Sequence, residues 1–157
     1  MSKVKNVTTE HYIAELPENG SDPNYLRLAK GILEVGSEND EETEEFAYYD
    51  GDGTPETEVL SIKKNMPFEG HFVASDPAQQ LIEEKEFATG DDRKIMYKQV
   101  RSDGKTLEGE ATLQDVNVTG GPAEEYRPIS GTISWNRVPD VTDNGGNGDG
   151  GSGGVEG

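Results

Sequence analysis

The longest alternation of apolar and polar positions in the chain runs from Leu60 to Phe72. Leu60, Ile62, Met66, Phe68 and Phe72 share one parity, interrupted by Lys64 and Gly70. Ser61, Lys63, Asn65, Glu69 and His71 take the other. A strand sends successive side chains to opposite faces, so one face reads as buried and the other as wet. Glu58, on the apolar parity, marks where the buried face begins. At roughly 3.3 Å per residue such a strand extends about 40 Å, against about 17–20 Å for a common one. Pro67 lacks a ladder donor, which predicts a bend, a bulge or a sheet edge. Upstream, Phe46-Ala47-Tyr48-Tyr49 reads as an aromatic strand and Asp50 to Pro55 as the turn that follows it. The resulting hairpin is too long for one domain's core, and something other than its own subunit must cover it.

The rest of the pattern is mostly short strands. His11 to Leu16 forms one, closed by the turn residues between Pro17 and Pro23. Tyr25 to Val35 changes parity near Lys30-Gly31, which predicts a bulge or two short strands. Asp76 as N-cap, Pro77 at the first helical position and Gln79 in the capping-box position open the one convincing helix. Ala78, Leu81, Ile82 and Ala88 form its apolar stripe, and Gly90 ends it. Lys94 to Arg101 and the return from Lys105 flank Asp103-Gly104, a hairpin turn. Leu107, Gly109, Ala111 and Leu113 share a face while Val116 and Val118 take the other, so a bulge is expected near Gln114-Asp115. Ile129, Gly131, Ile133 and Trp135 alternate cleanly in the last strand, which Pro139 terminates. The candidate core is Leu60, Ile62, Phe68, Phe72, Leu81, Ile82, Ile129, Ile133 and Trp135. The fold class is mainly β: a β-sandwich or flattened barrel with one flanking α-helix and a long projecting hairpin. Residues 1–9 read as a flexible N-terminal arm, 10–142 as the domain, and 143–157 as a Gly-rich disordered tail.

Charge changes this picture most in one place. The formal net charge is −18 over 157 residues, and the body of the chain carries it. Such a chain stays soluble, and it is poorly suited to gripping nucleic acid, which needs clustered Lys and Arg. Between Glu38 and Glu58 stand ten acids and no base: Glu38, Asp40, Glu41, Glu42, Glu44, Glu45, Asp50, Asp52, Glu56 and Glu58. The plainest reading of Gly36 to Glu45 is a solvated loop. Its concentration of carboxylate is nevertheless the main functional hint in the composition. No segment near the N-terminus resembles a signal core and no run approaches about 18 apolar residues, so a soluble chain without a membrane anchor is expected.

Catalytic and metal chemistry find little support. There is no cysteine, which removes disulfides, thiolate metal sites and a cysteine nucleophile. An EF-hand beginning at Asp50 would put Thr54, Pro55 and Ser61 where an acid or amide, Gly and Glu belong. His11 and His71 lack a metal-ligand spacing, no serine sits in a G-x-S-x-G setting, and no phosphate-binding glycine pattern occurs. No cofactor is expected. Trp135 lies on a core parity, and of Tyr48 and Tyr49 only one side chain can face a ligand while the other packs inward. An alternative function is a non-catalytic β-sandwich binding module that uses the acidic loop for a divalent cation or a carbohydrate.

The order YYDGDG, ETEV (Glu56 to Val59), FEGHF (Phe68 to Phe72) and DPAQQLI (Asp76 to Ile82) resembles the tail tube proteins, or major tail proteins, of long-tailed bacteriophages. SDGKTLEGEATLQDVNVTGGPAEE and the closing ISGTISWNRVPD fit the same pattern, so the resemblance covers roughly Val7 to Val141. It implies a structural, non-enzymatic virion subunit, made in the host cytoplasm, that self-assembles into hexameric rings stacked as a tube. It further implies a negatively lined conduit for DNA ejection, with the acidic loop and hairpin, about Glu38 to Lys64, at the lumen or between rings. The implied partners are the chain itself, a tape-measure protein, distal tail or baseplate proteins and a tail terminator, with viral DNA passing through without specific binding.

Overall fold

The computed structural model describes residues 3–17 and 21–143, and the alternating segments fold as strands in chain order. They are β1 (Glu10–Glu15), β2 (Leu26–Arg27), β3 (Ile32–Val35), β4 (Glu38–Phe46) and β5 (Glu56–His71), then, after α1 (Pro77–Glu84), β6 (Lys94–Val100), β7 (Lys105–Asn117), β8 (Pro128–Trp135) and β9 (Asp140–Asp143). All pairings are antiparallel, in the order β2-β1-β6-β7-β8-β5-β3, with β4 on β5 and β9 on β7. Of the two arrangements expected, the sheet takes the barrel-like one, a single sheet curled into a half-barrel with α1 packed on it.

The core lies on the inner face. Phe68, Leu81, Ile82, Ile129, Ile133 and Trp135 are buried there with Ile13, Ile95, Tyr97 and Leu113, and Phe72 packs against them half-buried. Leu60 and Ile62 depart from expectation: they are 47% and 46% exposed. Their parity is right, since they share a face with Met66 and Phe68. The covering layer, however, stops short of them: β8 pairs with β5 only from Asn65, where Ser134 Oγ donates to Asn65 Oδ1 at 2.7 Å. Periodicity says which face a residue takes, not whether anything faces it.

Three further differences have local causes. The acidic run is a strand, β4, because β5 offers it a ladder from Asn65 down to Glu56. Of the expected aromatic strand only Phe46 is in the ladder; Tyr48 and Tyr49 both lie exposed in the turn. Strand β9 follows Pro139 and pairs Asp140 to Asp143 with Glu108 to Lys105, so Asp143 belongs to the sheet. Residues 144–157, the rest of the expected tail, lie outside the described residues, and the expected N-terminal arm contains a 3-10 turn at Asn6–Thr8.

Helix α1 begins as its sequence dictates: Asp76 Oδ2 accepts from the Gln79 amide at 3.1 Å, with Pro77 behind it. The Gln79 side chain does not complete a capping box. It is fully buried, accepting from the Val73 amide and donating to the Lys30 carbonyl, which ties the helix to the turn before β3. That turn approaches β5 so closely that a Cβ on Gly70 would lie 2.2 Å from the Gly31 carbonyl oxygen. The helix stops at Glu84, well before Gly90. The Arg93 guanidinium collects the carbonyls of Glu86, Ala88 and Leu113, while Lys85 reaches the Asp92 carbonyl and the Glu15 carboxylate. Carbonyls that a longer helix would have satisfied are therefore met by side chains. The expected bulge near Gln114-Asp115 is present, with Asp115 at a φ of 54° and a register shift before Asn117.

One polar chain crosses the inner face. Arg101 Nε donates to Gln99 Oε1 at 3.1 Å, the buried Gln99 hydrogen-bonds Tyr97, and the Tyr97 hydroxyl lies 2.7 Å from His11 Nδ1 with the two rings stacked. Burial pushes the Tyr97 phenol up, so it keeps its proton, and the tautomer of the imidazole decides which of the two groups donates.

Replacing Leu81 with Asp is expected to lose the roughly 2–5 kcal/mol of a Leu→Ala change and to add the desolvation of a carboxylate. That exceeds what a domain stable by about 5–15 kcal/mol readily tolerates, so urea unfolding should lose its cooperativity; a soluble, cooperative variant would contradict the packing of α1. Burial also holds the His11 imidazole below its ordinary value of 6.5. The unfolded chain then takes up this proton first as pH falls, so the contribution of the neutral ring is present above about 6.5 and is lost as pH drops through the lower folded value. NMR titration should place the His11 midpoint below 6.5, and His11→Gln should flatten the fall in stability across that window.

Candidate functional site

The ten acids singled out in the sequence lie on one object. Strands β4 and β5 leave the body together as a two-stranded arm: Glu56 to Lys64 is nine residues, about 30 Å at roughly 3.3 Å per residue. Among the described residues neither outer edge of this arm is paired, since β4 bonds only to β5 and β8 has ended. Every residue of β4 except Phe46 is exposed, as is β5 through Lys63. An unpaired strand edge is a template for another strand, and natural proteins protect such edges with charge or cover them.

Register sorts the arm into two faces. Glu38, Asp40, Glu42, Glu44 and Phe46 stand opposite Asn65, Lys63, Ser61, Glu58 and Glu56 on the first. Asn39, Glu41, Thr43 and Glu45 stand opposite Lys64, Ile62, Val59 and Thr57 on the second. Leu60 is the extra residue where the register shifts. Six of the acids thus share one face, and two share the other with Val59 and Ile62. Glu44 directly opposite Glu58 is unfavourable in isolation, by a few tenths of a kcal/mol to about 1.

The tip is aromatic with an acidic border. Phe46 and Tyr48 stack with centroids 6.1 Å apart, and Tyr49 is fully exposed beside Asp50 and Asp52. The Thr54 amide donates to Asp52 Oδ1 at 2.9 Å, which fixes the turn and holds that carboxyl below the usual range. Among the described residues no group of three or more His, Asp or Glu is placed to hold a metal ion. Trp135 is buried against Tyr97, with centroids 4.7 Å apart.

A second feature escaped the sequence reading. Where the arm meets the body, the inner face opens as a cavity of about 700 Å³. Leu28, Met66 and Trp135 contribute to its floor from the core, with Ile32, Leu107 and Val141 beside them. Four bases border it, Arg27, Lys64, Arg101 and Arg137, with Lys63 in the lining but on the opposite face of β5, against two acids, Glu10 and Glu34. In a chain with 14 bases and 32 acids, this is a local reversal of sign. No sequence motif announces it, because the bases come from β2, β5 and the ends of β6 and β8. Only the curl of the sheet brings them together.

No family model matches the chain, and no curated protein matches its sequence. Solved structures do match in fold. The tail of an empty gene transfer agent particle, refined with C6 symmetry, superposes with a TM-score of 0.67 at 12% identity, covering 89% of this chain and 99% of that one. The SPP1 tail tube gives 0.64 at 11% identity over 91% and 82% of the two chains. The tube-terminating cap of the anti-feeding prophage gives 0.55 at 12% identity over 91% and 93%. At these identities the likeness is one of fold, and that fold is the tail tube fold.

Proposed function

We propose that the chain is a structural subunit of a bacteriophage-type tail tube. Six copies close into a ring, rings stack, and the six-acid face of the arm lines a channel for DNA. The observation that carries this reading is the arm itself: a two-stranded extension in a tail tube fold, open at both edges and acidic on one face. Head-to-tail contacts between identical subunits close into rings when the rotation permits, and a neighbour's strands remove the open edges. Carboxylates on the lumen repel phosphates over about one Debye length, roughly 8 Å at physiological salt, so the duplex meets a wall without binding wells. The role is mechanical, in the virion tail, with tape-measure, baseplate or distal tail, and terminator proteins as partners.

Negative-stain electron microscopy of concentrated protein tests this directly. Hollow rings or tubes are expected, more abundant where salt screens the repulsion between subunits, and monomers in every condition would count against unaided assembly. Amide replacement of Glu38, Asp40, Glu42 and Glu44 should leave tubes intact but make them retain duplex DNA in co-sedimentation, which native tubes should exclude. Equal exclusion by both would mean this face is not the lining.

A further inference from the structure

The cavity and the arm tip are matched in two layers. The cavity has an apolar floor and a basic border; the tip has an aromatic centre, Phe46, Tyr48 and Tyr49, and an acidic border, Asp50, Asp52 and Glu56. Among the described residues no carboxylate forms an ion pair with Arg27 or Lys64, so these two charges are available, whereas Lys63 stands opposite Asp40 in the ladder. A volume of about 700 Å³ is within the roughly 300–1,000 Å³ of sites that enclose sizeable ligands. Aromatic side chains bury about 150–250 Å² each, which makes them effective anchors for such a floor.

We infer that the arm tip of a second copy, about Phe46 to Glu56, seats in this cavity. The inference rests on the self-assembling reading given above and adds which surface receives the arm. The occupant is not the chain's own tip. Ile62, Lys63 and Lys64 line the cavity at the base of the arm, and the tip stands about 25–30 Å away along a paired ladder. Folding the tip back would break that ladder, whereas a neighbour's tip arrives with it intact. Opposite charge at the border sets register and orientation, and the aromatic centre supplies the buried area. The same contact neutralises acids that repel one another in the free arm.

The chain has no cysteine, so disulfide trapping has a clean background. A Tyr49→Cys chain is mixed with a Val138→Cys chain under assembling conditions and mildly oxidised; Val138 is an exposed residue of the cavity lining. A bond forms only where the Cα atoms come within about 7 Å, and with the two cysteines on different chains the arm's own cavity is excluded. A 49–138 cross-link is expected, with none from Tyr49→Cys to Phe87→Cys, an exposed residue in the turn after α1. Arg27→Glu with Arg137→Glu on the cavity chain should abolish the link, and Asp50→Lys with Asp52→Lys on the arm chain should restore it. Rings or tubes in the same sample without a 49–138 link would overturn the docking alone. So would a link to position 87 of equal yield, or a dominant 49–49 link. A sample with no assembly at all would count against unaided assembly of the tube, and a missing link within assembled rings is what separates failure of the docking from it.

Discussion

Pro67 has no amide proton, and it stands where β5 exchanges one hydrogen-bonded neighbour for another. Its carbonyl accepts from the Gly36 amide at 2.6 Å, on the side where β3 has just ended and β4 has not begun. In an antiparallel strand a residue's N–H and C=O point to the same neighbour, so the missing donor faces Gly36 at the break between β3 and β4 and not β8. On its other side β5 stays in register with β8 straight through, Pro67 opposite Thr132. Gly36 has only hydrogen where a Cβ would sit 3.2 Å from the proline ring. One continuous strand can therefore serve two structures, the closed body below Asn65 and the open arm above it. The arm inherits its direction from a core strand held on both sides, by β8 and β3.

The distribution of bases follows the same division. In the body they are used one by one on backbone oxygens and single acids. Arg127 donates to the Val118 carbonyl, meets Glu83 at 3.1 Å and lies over the Phe72 ring. Arg93 and Lys85 close the end of α1. None of this reaches the arm, whose bases are Lys63 and Lys64 at its root. The body is thus stabilised by local neutralisation and apolar burial, while the arm beyond Ile62 has neither. A bare two-stranded ribbon is marginal in water. Its continuity with β5 holds the root, and contacts from outside the subunit are the remaining source of stability for the tip.

How much of this was legible in the sequence depends on the range of the cause. The N-cap at Asp76, the turn at Gly104 and the bulge at Asp115 are set by neighbours a few residues away, and the sequence reading finds them. The early stop of α1 depends on Arg93 reaching back to Glu86 and Ala88, and helix periodicity carries no trace of that. Leu60 and Ile62 show the limit most clearly. Their parity predicts the face correctly, but burial needs a partner layer, and nothing local encodes where β8 ends. The acidic strand β4 was hidden by its own composition, since consecutive Glu and Asp have low strand propensity and its pairing comes from β5. The basic-bordered cavity draws residues from distant segments and was invisible for the same reason.

Charge on the arm then has two consequences that act at different stages. A long ribbon with open edges and the apolar stripe Val59, Leu60 and Ile62 is the kind of element that pairs indiscriminately with copies of itself. Ten carboxylates make edge-to-edge pairing of two free arms costly, because like charges would meet along the whole ladder. That protects the chain before assembly. The repulsion does not oppose a site of opposite sign, so the same carboxylates that forbid arm-to-arm contact permit contact with a basic border. On the proposed reading, selectivity between the wrong and the right association needs no additional device: it follows from placing ten acids and no base on the extension between Glu38 and Glu58 and gathering bases at its root.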